Sequence, residues 1–208
     1  MVISTDTLAA FADELSKIAG SADEVERVKK ILKPGDILYT RPKDIKSHSL
    51  GSRAFYAIEK RIQGSEHTHV GLYAGEGKVI DAGSLGTKTE SSLGIHEVPL
   101  SRYMDNYAFK VLRVKTSPKK RQEAVEYARE HVGKDFNLKG MVRLILPFKA
   151  KNEEEERERK DAAESFFCSE LVANAYGDLN IAKSKHLNHV WPKDIYRSPL
   201  TKTVAEIE

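Results

Sequence analysis

FFCSELV, residues 166–172, carries the only cysteine of the chain at the point where an apolar approach runs into a helical pattern. This placement predicts that Cys168 lies at the N-terminus of a helix, where free backbone amides and the helix dipole favour a thiolate over a thiol. Cys168 is therefore a candidate nucleophile. The alternative is that it is a small buried apolar side chain, as most free cysteines are.

A base for this thiol is found in THVGLY, residues 68–73, a strand-like stretch that contains His69. Strand alternation puts His69, Gly71 and Tyr73 on one face. The returning strand follows Gly75-Glu76-Gly77. A three-residue loop pairs Ala74 with Lys78 and brings Asp81 to the His69 face, whereas a two-residue loop turns Asp81 away. The two glycines favour the three-residue bulged turn.

Cysteine, histidine and a carboxylate together supply the chemistry of acyl transfer. The thiolate attacks, the imidazole takes and returns a proton, and the carboxylate orients the ring and stabilises the imidazolium. Backbone amides at the start of the Cys168 helix, at Ser169 among others, would hold the oxyanion. Cys168, His69 and Asp81 are thus the predicted catalytic residues.

Composition narrows the class of protein. The 208 residues are 40% hydrophobic, enough for one substantial core, and 34 basic against 31 acidic side chains leave a formal charge of +3. This charge gives no reason to propose nucleic acid as a partner. One cysteine excludes an internal disulfide and a multi-cysteine zinc site, and we expect no cofactor.

The N-terminus has no signal-peptide pattern and no stretch is apolar enough to span a bilayer, so we expect a cytoplasmic protein, or a virion-associated one if phage-encoded.

The pattern along the chain predicts a helical appendage over residues 1–32 and one domain over residues 33–208. In the appendage, one helix over about residues 6–19 precedes a second that Ser21 caps. These helices dock either on their own domain or on a protein partner. In the domain we expect strands at 36–39 and 109–114, and helices at 53–62, 118–132 and 138–146. The first of these helices should turn Phe55, Ile58 and Ile62 inward.

A charged insert over residues 149–163 precedes the Cys168 helix. Acid-to-base pairs four residues apart are typical of a solvated helix or mobile loop. A flap over the cleft is the functional alternative.

Several segments resemble, in order, the YiiX-like branch of the NlpC-type papain-like superfamily, which is related to the lecithin retinol acyltransferase-like proteins. The matching segments, within roughly residues 33–200, are PGDILY at 34–39, HVGLY at 69–73 with VIDA at 79–82, GKDF at 133–136, FCSELV at 167–172 and WPKD at 191–194. The resemblance implies an α+β, circularly permuted papain-like fold, with a small antiparallel sheet packed on the cysteine-bearing helix. It also implies that Cys168 is the nucleophile, His69 the base and Asp81 the third polar residue. The substrates that it implies are the amide bonds of peptides or peptidoglycan stems.

One position departs from the family, because Phe136 stands where relatives often have tyrosine. Tyr73 or Tyr39 would then have to supply a phenolic contact to the oxyanion. Two rival functions stay open: a lipid acyl hydrolase or acyltransferase using the same Cys and His, and a non-catalytic binding or phage structural module. A zinc site at His67 and His69 lacks a third ligand, and the spacing of His186 and His189 is a weaker metal candidate.

Overall fold

The computed structural model describes residues 22–47, 50–83, 93–137, 140–141, 165–183 and 190–208. Helices and strands alternate irregularly along these residues. In chain order they are α1 (22–31), β1 (Ile37–Pro42), α2 (Leu50–Gln63), β2 (His69–Gly75), β3 (Lys78–Gly83), β4 (Gly94–Pro99), α3 (Leu100–Asn106), β5 (Tyr107–Val114), α4 (Pro118–Glu130), β6 (Asp135–Phe136), β7 (Ser165–Phe166), α5 (Cys168–Ala175), α6 (Pro192–Tyr196) and β8 (Thr201–Ile207).

The strands form one eight-stranded sheet in the order β7-β6-β4-β3-β2-β1-β5-β8. Neighbouring strands are antiparallel except β6 and β7, which are parallel. The sheet is therefore larger than the small antiparallel sheet expected, and two of its strands flank the long stretch between α4 and α5. Mixed helices and strands agree with the α+β class.

Both faces of the central strands are covered, which explains their nearly continuous apolar sequences. On one face Ile37, Leu72 and Ile80 share a core with Leu171 and Val172 of α5 and with residues of α4. On the other face a second core joins Leu38, Tyr73 and Val79 to α3 and α1. His69 on β2 and Asp81 on β3 are therefore carried by strands that are packed on both faces.

The described part of the appendage packs on the sheet. Val28 and Leu32 are buried in the second core, and Arg113 Nη2 donates to the Ile31 carbonyl at 2.9 Å. Docking of this segment on its own chain was one of the two alternatives. The first predicted helix and the Ser21 cap lie outside the described residues.

The β2–β3 hairpin has the predicted face assignment but a different turn. Leu72 pairs with Ile80, and continuing that register puts Gly71 opposite Asp81. Gly75, not Ala74, pairs with Lys78, and the register shifts between Tyr73 and Gly75. Gly75, Glu76 and Gly77 all have positive φ, as tight bulged turns require. The bulge adds one residue to β2, as the expected three-residue loop would have added one to the turn. Asp81 therefore still lies on the His69 face.

The prediction for α2 was wrong about which face is buried. Ile58 is 46% exposed and Ile62 39%, whereas Gln63 is buried and its Nε2 donates to the Thr68 carbonyl at 3.3 Å. The helix thus turns a polar face inward, because it covers the backbone at the start of β2 and not the apolar core. Periodicity alone identifies an apolar stripe on a helix. It does not show which face of the helix packs against the rest of the protein.

Other boundaries differ slightly from expectation. β5 begins two residues before the predicted strand, and α4 ends at Glu130, before a turn in which Gly133 has a φ of +89°. β4, α3, α6 and β8 were not predicted. The charged insert 149–163 and most of the predicted helix 138–146 lie outside the described residues. None of the helices in the described ranges combines the length and apolar character needed to cross a membrane.

Candidate active site

His69 and Asp81 meet at one end of the β2–β3 hairpin. His69 is the first residue of β2, and its Nε2 lies 2.7 Å from Asp81 Oδ1. The carboxylate is 2% exposed and the imidazole 21%. A Cβ at Gly83 would lie 3.4 Å from His69 Cε1, so the end of β3 lies close beside the ring. The pair is thus set by strand register and enclosed by the sheet.

Cys168 is the first residue of α5 and is partly buried. The helix begins after Phe167, whose extended backbone and apolar side chain provide no cap for the amides of the first turn. The N-cap residue thus provides no side-chain acceptor for the amides of the turn that begins with Cys168. Ser165 precedes the helix in β7, because residues 165–166 extend to pair with β6.

The Cys168 thiol lies within hydrogen-bonding reach of the His69 ring. Because Nε2 already faces Asp81, Nδ1 is the nitrogen left for the thiol. Burial by itself lowers the pKa of His69, but the charge of Asp81, the charge of Cys168 and hydrogen bonds to both raise that pKa well above its usual value. The imidazole is held in a state suited to carry a proton between the thiol and a leaving group.

Two tyrosines line the side of the imidazole. The Tyr107 ring stacks on the His69 ring with centroids 6.0 Å apart, and the Tyr103 ring lies 5.0 Å from that of Tyr107. Burial raises the pKa of Tyr107 to about 12, with the His69 charge opposing the shift. Tyr107 therefore stays a protonated phenol near Cys168 and His69 at neutral pH.

A buried carboxyl, that of Glu170, lies in the first turn of the cysteine helix. Glu170 Oε2 accepts hydrogen bonds from Phe167 N at 3.3 Å and from Asn137 Nδ2 at 3.1 Å. Its Oε1 has no partner among the described residues. Burial raises the pKa of Glu170 to about 7, although both hydrogen bonds lower it. Glu170 thus links Asn137, the residue after β6, to Phe167, the residue before Cys168.

The other predicted site residues are Tyr73, Tyr39 and Ser169. The Tyr73 hydroxyl accepts from Gly77 N at 3.1 Å, at the turn end of the hairpin. The Tyr39 hydroxyl donates to Ser65 Oγ at 2.8 Å, and the buried Ser169 hydroxyl donates to the Val190 carbonyl at 2.6 Å. The structure brings Cys168, His69 and Asp81 together and gives the two phenols other partners. The Ser169 prediction concerned its backbone amide, which lies in the first turn of α5 next to Cys168. Phe136 packs at the edge of the first core.

His67 does not share the environment of His69. It precedes β2 and its ring stacks on that of Tyr39 with centroids 5.0 Å apart. Within the ranges that the structure describes, no group of three or more His, Cys, Asp or Glu side chains is arranged to hold a metal ion. His186 and His189 lie outside those ranges.

Sequence reasoning missed Tyr107 and Glu59, both of which face His69. Tyr107 begins a strand that was expected to start later, and Glu59 was not among the α2 residues expected to face inward. A hydrophobic pattern contains no signal for either contact, because each depends on how distant segments pack.

Comparison with known proteins identifies a family for this chain. The model of the permuted papain-like amidase enzyme, YaeF/YiiX, C92 family matches residues 32–144, more than half of the chain. The matched residues include His69 and Asp81 and end before Cys168. No curated protein matches.

A solved structure shares the fold. The crystal structure of the metalloprotein YiiX from Escherichia coli O157:H7 superposes with a TM-score of 0.51 at 16% identity, covering 84% of this chain and 97% of that one. With the histidine-bearing hairpin ahead of the cysteine helix, and with the family model matched over residues 32–144, this chain belongs to the permuted papain-like amidase family, YaeF/YiiX, C92.

Proposed function

We propose that the protein is a thiol-dependent hydrolase that cleaves an amide bond of a peptide or a peptidoglycan stem through an acyl-enzyme. The observation that carries the proposal is the contact of one histidine ring with both a buried carboxylate and the only thiol of the chain. The family, an amidase family, supports amide hydrolysis in general.

In the proposed first step the Cys168 sulfur attacks the amide carbon, with its proton taken by His69. Asp81, held at 2.7 Å, stabilises the resulting imidazolium and fixes the ring. His69 then gives the proton to the leaving amine, and the C–N bond breaks to leave a thioester on Cys168. Water attacks the thioester with His69 as base, and the acid product leaves with the thiol restored.

The developing oxyanion would be held by the uncapped amides in the first turn of α5. The Tyr107 phenol, whose ring stacks on that of His69, would be a further donor, since a phenol is protonated at neutral pH. Neither Tyr73 nor Tyr39 is needed for this role in the proposal.

A lipid acyl group is the second candidate substrate. It is favoured by the exposed aliphatic side chains of α2, Leu50, Ile58 and Ile62, on the helix whose inner face reaches His69. The reaction would be the same, with a lipid ester or amide as acyl donor.

Turnover of purified murein, a peptide amide and a lipid ester tests both candidates. Amide turnover that Cys168→Ala abolishes is expected, while Cys168-dependent turnover of the lipid alone would favour the second. If no substrate is turned over and iodoacetamide alkylates Cys168 at the same rate in the wild type and His69→Ala, the catalytic proposal is wrong. A binding module would then be the better description.

A further inference from the structure

The outer face of α2 carries an exposed apolar stripe. Leu50 is 79% exposed, Ile58 46% and Ile62 39%. Ala54 and Ala57, which lie between them, are exposed as well. Residues three, four and seven apart share one side of a helix, so these side chains form one line. The line is about 18 Å long at 1.5 Å per residue. A contiguous apolar surface of this kind marks an interaction site, whereas scattered single side chains do not.

Hydrogen bonds on the opposite face of the helix hold this stripe outward. The buried Gln63 donates through Nε2 to the Thr68 carbonyl at 3.3 Å, and its Oε1 accepts from Lys193 N at 3.3 Å. The Tyr56 hydroxyl donates to the Glu66 carbonyl at 2.9 Å. Rotating the helix to bury the stripe would break these bonds and leave polar groups unpaired, which is unfavourable. The stripe is therefore a fixed feature of the folded surface.

Basic side chains border the stripe. Arg53, Lys60 and Arg61 are all exposed on α2. Lys60 pairs with Glu66 at 2.6 Å, whereas neither arginine has an ion-pair partner among the described residues. Glu59 is the only acidic residue in the sequence of α2, and the helical period puts it on the side away from the stripe. The outer face is therefore both apolar and positively charged.

This positive charge selects among the partners that could cover an apolar helix face. A second copy of the chain, docked through the same face, would bring two sets of like charges together, which opposes association. An anionic lipid surface instead attracts the basic side chains and accepts the aliphatic ones at the boundary between head groups and acyl chains. An apolar stripe with basic borders is also typical of helices that lie on membranes. Charge complementarity therefore favours a lipid surface.

We infer that α2 is a docking helix that lies on an anionic lipid surface, with its aliphatic stripe among the head groups and its basic side chains against the phosphates. The C-terminal end of the helix adjoins the candidate active site, since Gln63 bonds to Thr68, the residue before His69. Docking therefore brings that site close to the lipid. The inference concerns binding alone, so it goes beyond the proposed hydrolysis and does not depend on it.

Flotation of the full chain with vesicles tests the inference. One preparation is phosphatidylcholine alone, and the other is phosphatidylcholine with phosphatidylserine at about 7:3. We expect binding to the mixed vesicles and roughly fivefold or more weaker binding to phosphatidylcholine alone. Ile58→Ser with Ile62→Ser should lower the affinity for mixed vesicles roughly tenfold or more, since two inserted aliphatic side chains are lost. Ile31→Ser is the matched control, because Ile31 is 41% exposed but lies on α1.

Arg53→Gln with Arg61→Gln tests the electrostatic part of the inference. The affinity for mixed vesicles should fall roughly fivefold or more, and the residual binding to phosphatidylcholine should be unchanged. Lys119→Gln with Lys202→Gln is the control, since it removes the same charge at exposed lysines of α4 and β8. All the substituted side chains are exposed, so the urea midpoints of the variants should stay close to that of the wild type.

Binding to mixed vesicles that both α2 variants weaken, and that the control variants do not weaken, supports the inference. No binding by the wild type, or equal effects of the α2 variants and their controls, overturns it. The inference is also wrong if the wild type binds no vesicles but self-associates in ultracentrifugation, and Ile58→Ser with Ile62→Ser makes it monomeric. A second copy would then cover the stripe. Vesicle binding without turnover of any substrate contradicts the proposed function and not the docking helix.

Discussion

Asp81 Oδ1 lies 2.7 Å from His69 Nε2, with the carboxylate almost fully enclosed and the imidazole partly open. The pKa of His69 is raised in the folded protein, so the folded state holds a proton that the unfolded chain releases near pH 6.5. The contact therefore contributes its full stability below that pH and loses it as the pH rises through the folded value. We expect the same charge arrangement to influence the reactivity of Cys168.

Asp81→Asn should slow alkylation of Cys168 most strongly near pH 6. Without the carboxylate the pKa of His69 falls, and the imidazolium that stabilises a thiolate is less populated. We expect the iodoacetamide rate at pH 6 to fall roughly tenfold, and the difference to narrow near pH 9, where ordinary thiols ionise unaided. Asp105→Asn, at an exposed carboxylate, should leave the profile unchanged. A pH profile that Asp81→Asn does not alter would refute the role of the carboxylate.

Gly71→Ala should destabilise the strand that carries His69. A Cβ there would lie 2.5 Å from the Tyr103 hydroxyl and 3.0 Å from Val79 Cγ1. Overpacking of this kind costs roughly 1 to 3 kcal/mol. Urea unfolding of the variant measures the loss.

Removing the Tyr103 hydroxyl should relieve part of that cost. Although Thr40 is a polar neighbour, the hydroxyl is buried and makes no hydrogen bond of normal geometry among the described residues. Tyr103→Phe alone should change the unfolding free energy by less than about 1 kcal/mol. Gly71→Ala with Tyr103→Phe should therefore cost less than Gly71→Ala alone. Strict additivity of the two changes would show that the added methyl group does not meet the hydroxyl.

The sequence was sufficient to predict the hairpin parity, and with it the approach of Asp81 to His69. Glycines at 75 and 77 indicated a bulged turn, and strand alternation then placed Asp81 on the same face as His69. The same alternation could not assign hydroxyls, since it puts Tyr73 on the His69 face while the Tyr73 hydroxyl contacts Gly77 at the far end.

What could not be predicted depended on tertiary packing. β8, with sequence TKTVAEI, alternates polar and apolar residues weakly because it is an edge strand with one exposed side. The apolar stripe of α2 predicted burial, yet the helix meets the protein through Glu59 and Gln63. No local pattern encodes that choice, which depends on the polar backbone at Thr68.

Arg113→Met should destabilise the protein strongly. Arg113 Nε and Nη2 donate to the two oxygens of Asp36 at 2.8 and 2.6 Å, and Asp36 is fully buried. Removing the guanidinium leaves a buried carboxylate unpaired, which costs roughly 3 to 5 kcal/mol. It also removes the bond to the Ile31 carbonyl that holds α1. Thermal and urea unfolding measure the change.

Arg129→Met is the matched control for this ion pair. Arg129 also pairs with a carboxylate on the sheet, Glu97 at 3.0 Å, but its side chain is 46% exposed. Its loss should cost less than about 1 kcal/mol. Similar losses for the two variants would contradict the view that burial of Asp36 makes its pair the stronger one.

Glu170→Gln should remove a component of the pH dependence of stability. The pKa of Glu170 rises from an ordinary 4.5 to about 7 on folding. Between these values the folded state keeps a proton that the unfolded state has lost, so the unfolding free energy falls as the pH increases. The contribution is present in full below about pH 4.5 and lost through pH 7, and it is on the order of 3 kcal/mol.

The measurement is urea unfolding at pH 5 and pH 8 for the wild type, Glu170→Gln and the exposed control Glu123→Gln. Glutamine keeps an oxygen to accept from Phe167 N and Asn137 Nδ2, so the fold around α5 should persist. The loss of stability from pH 5 to pH 8 should be smaller in Glu170→Gln than in the other two proteins. Because Glu59 also has a raised pKa and is present in all three, only this difference reports on Glu170. An equal loss in all three proteins would mean that the Glu170 carboxyl ionises in the folded protein without cost.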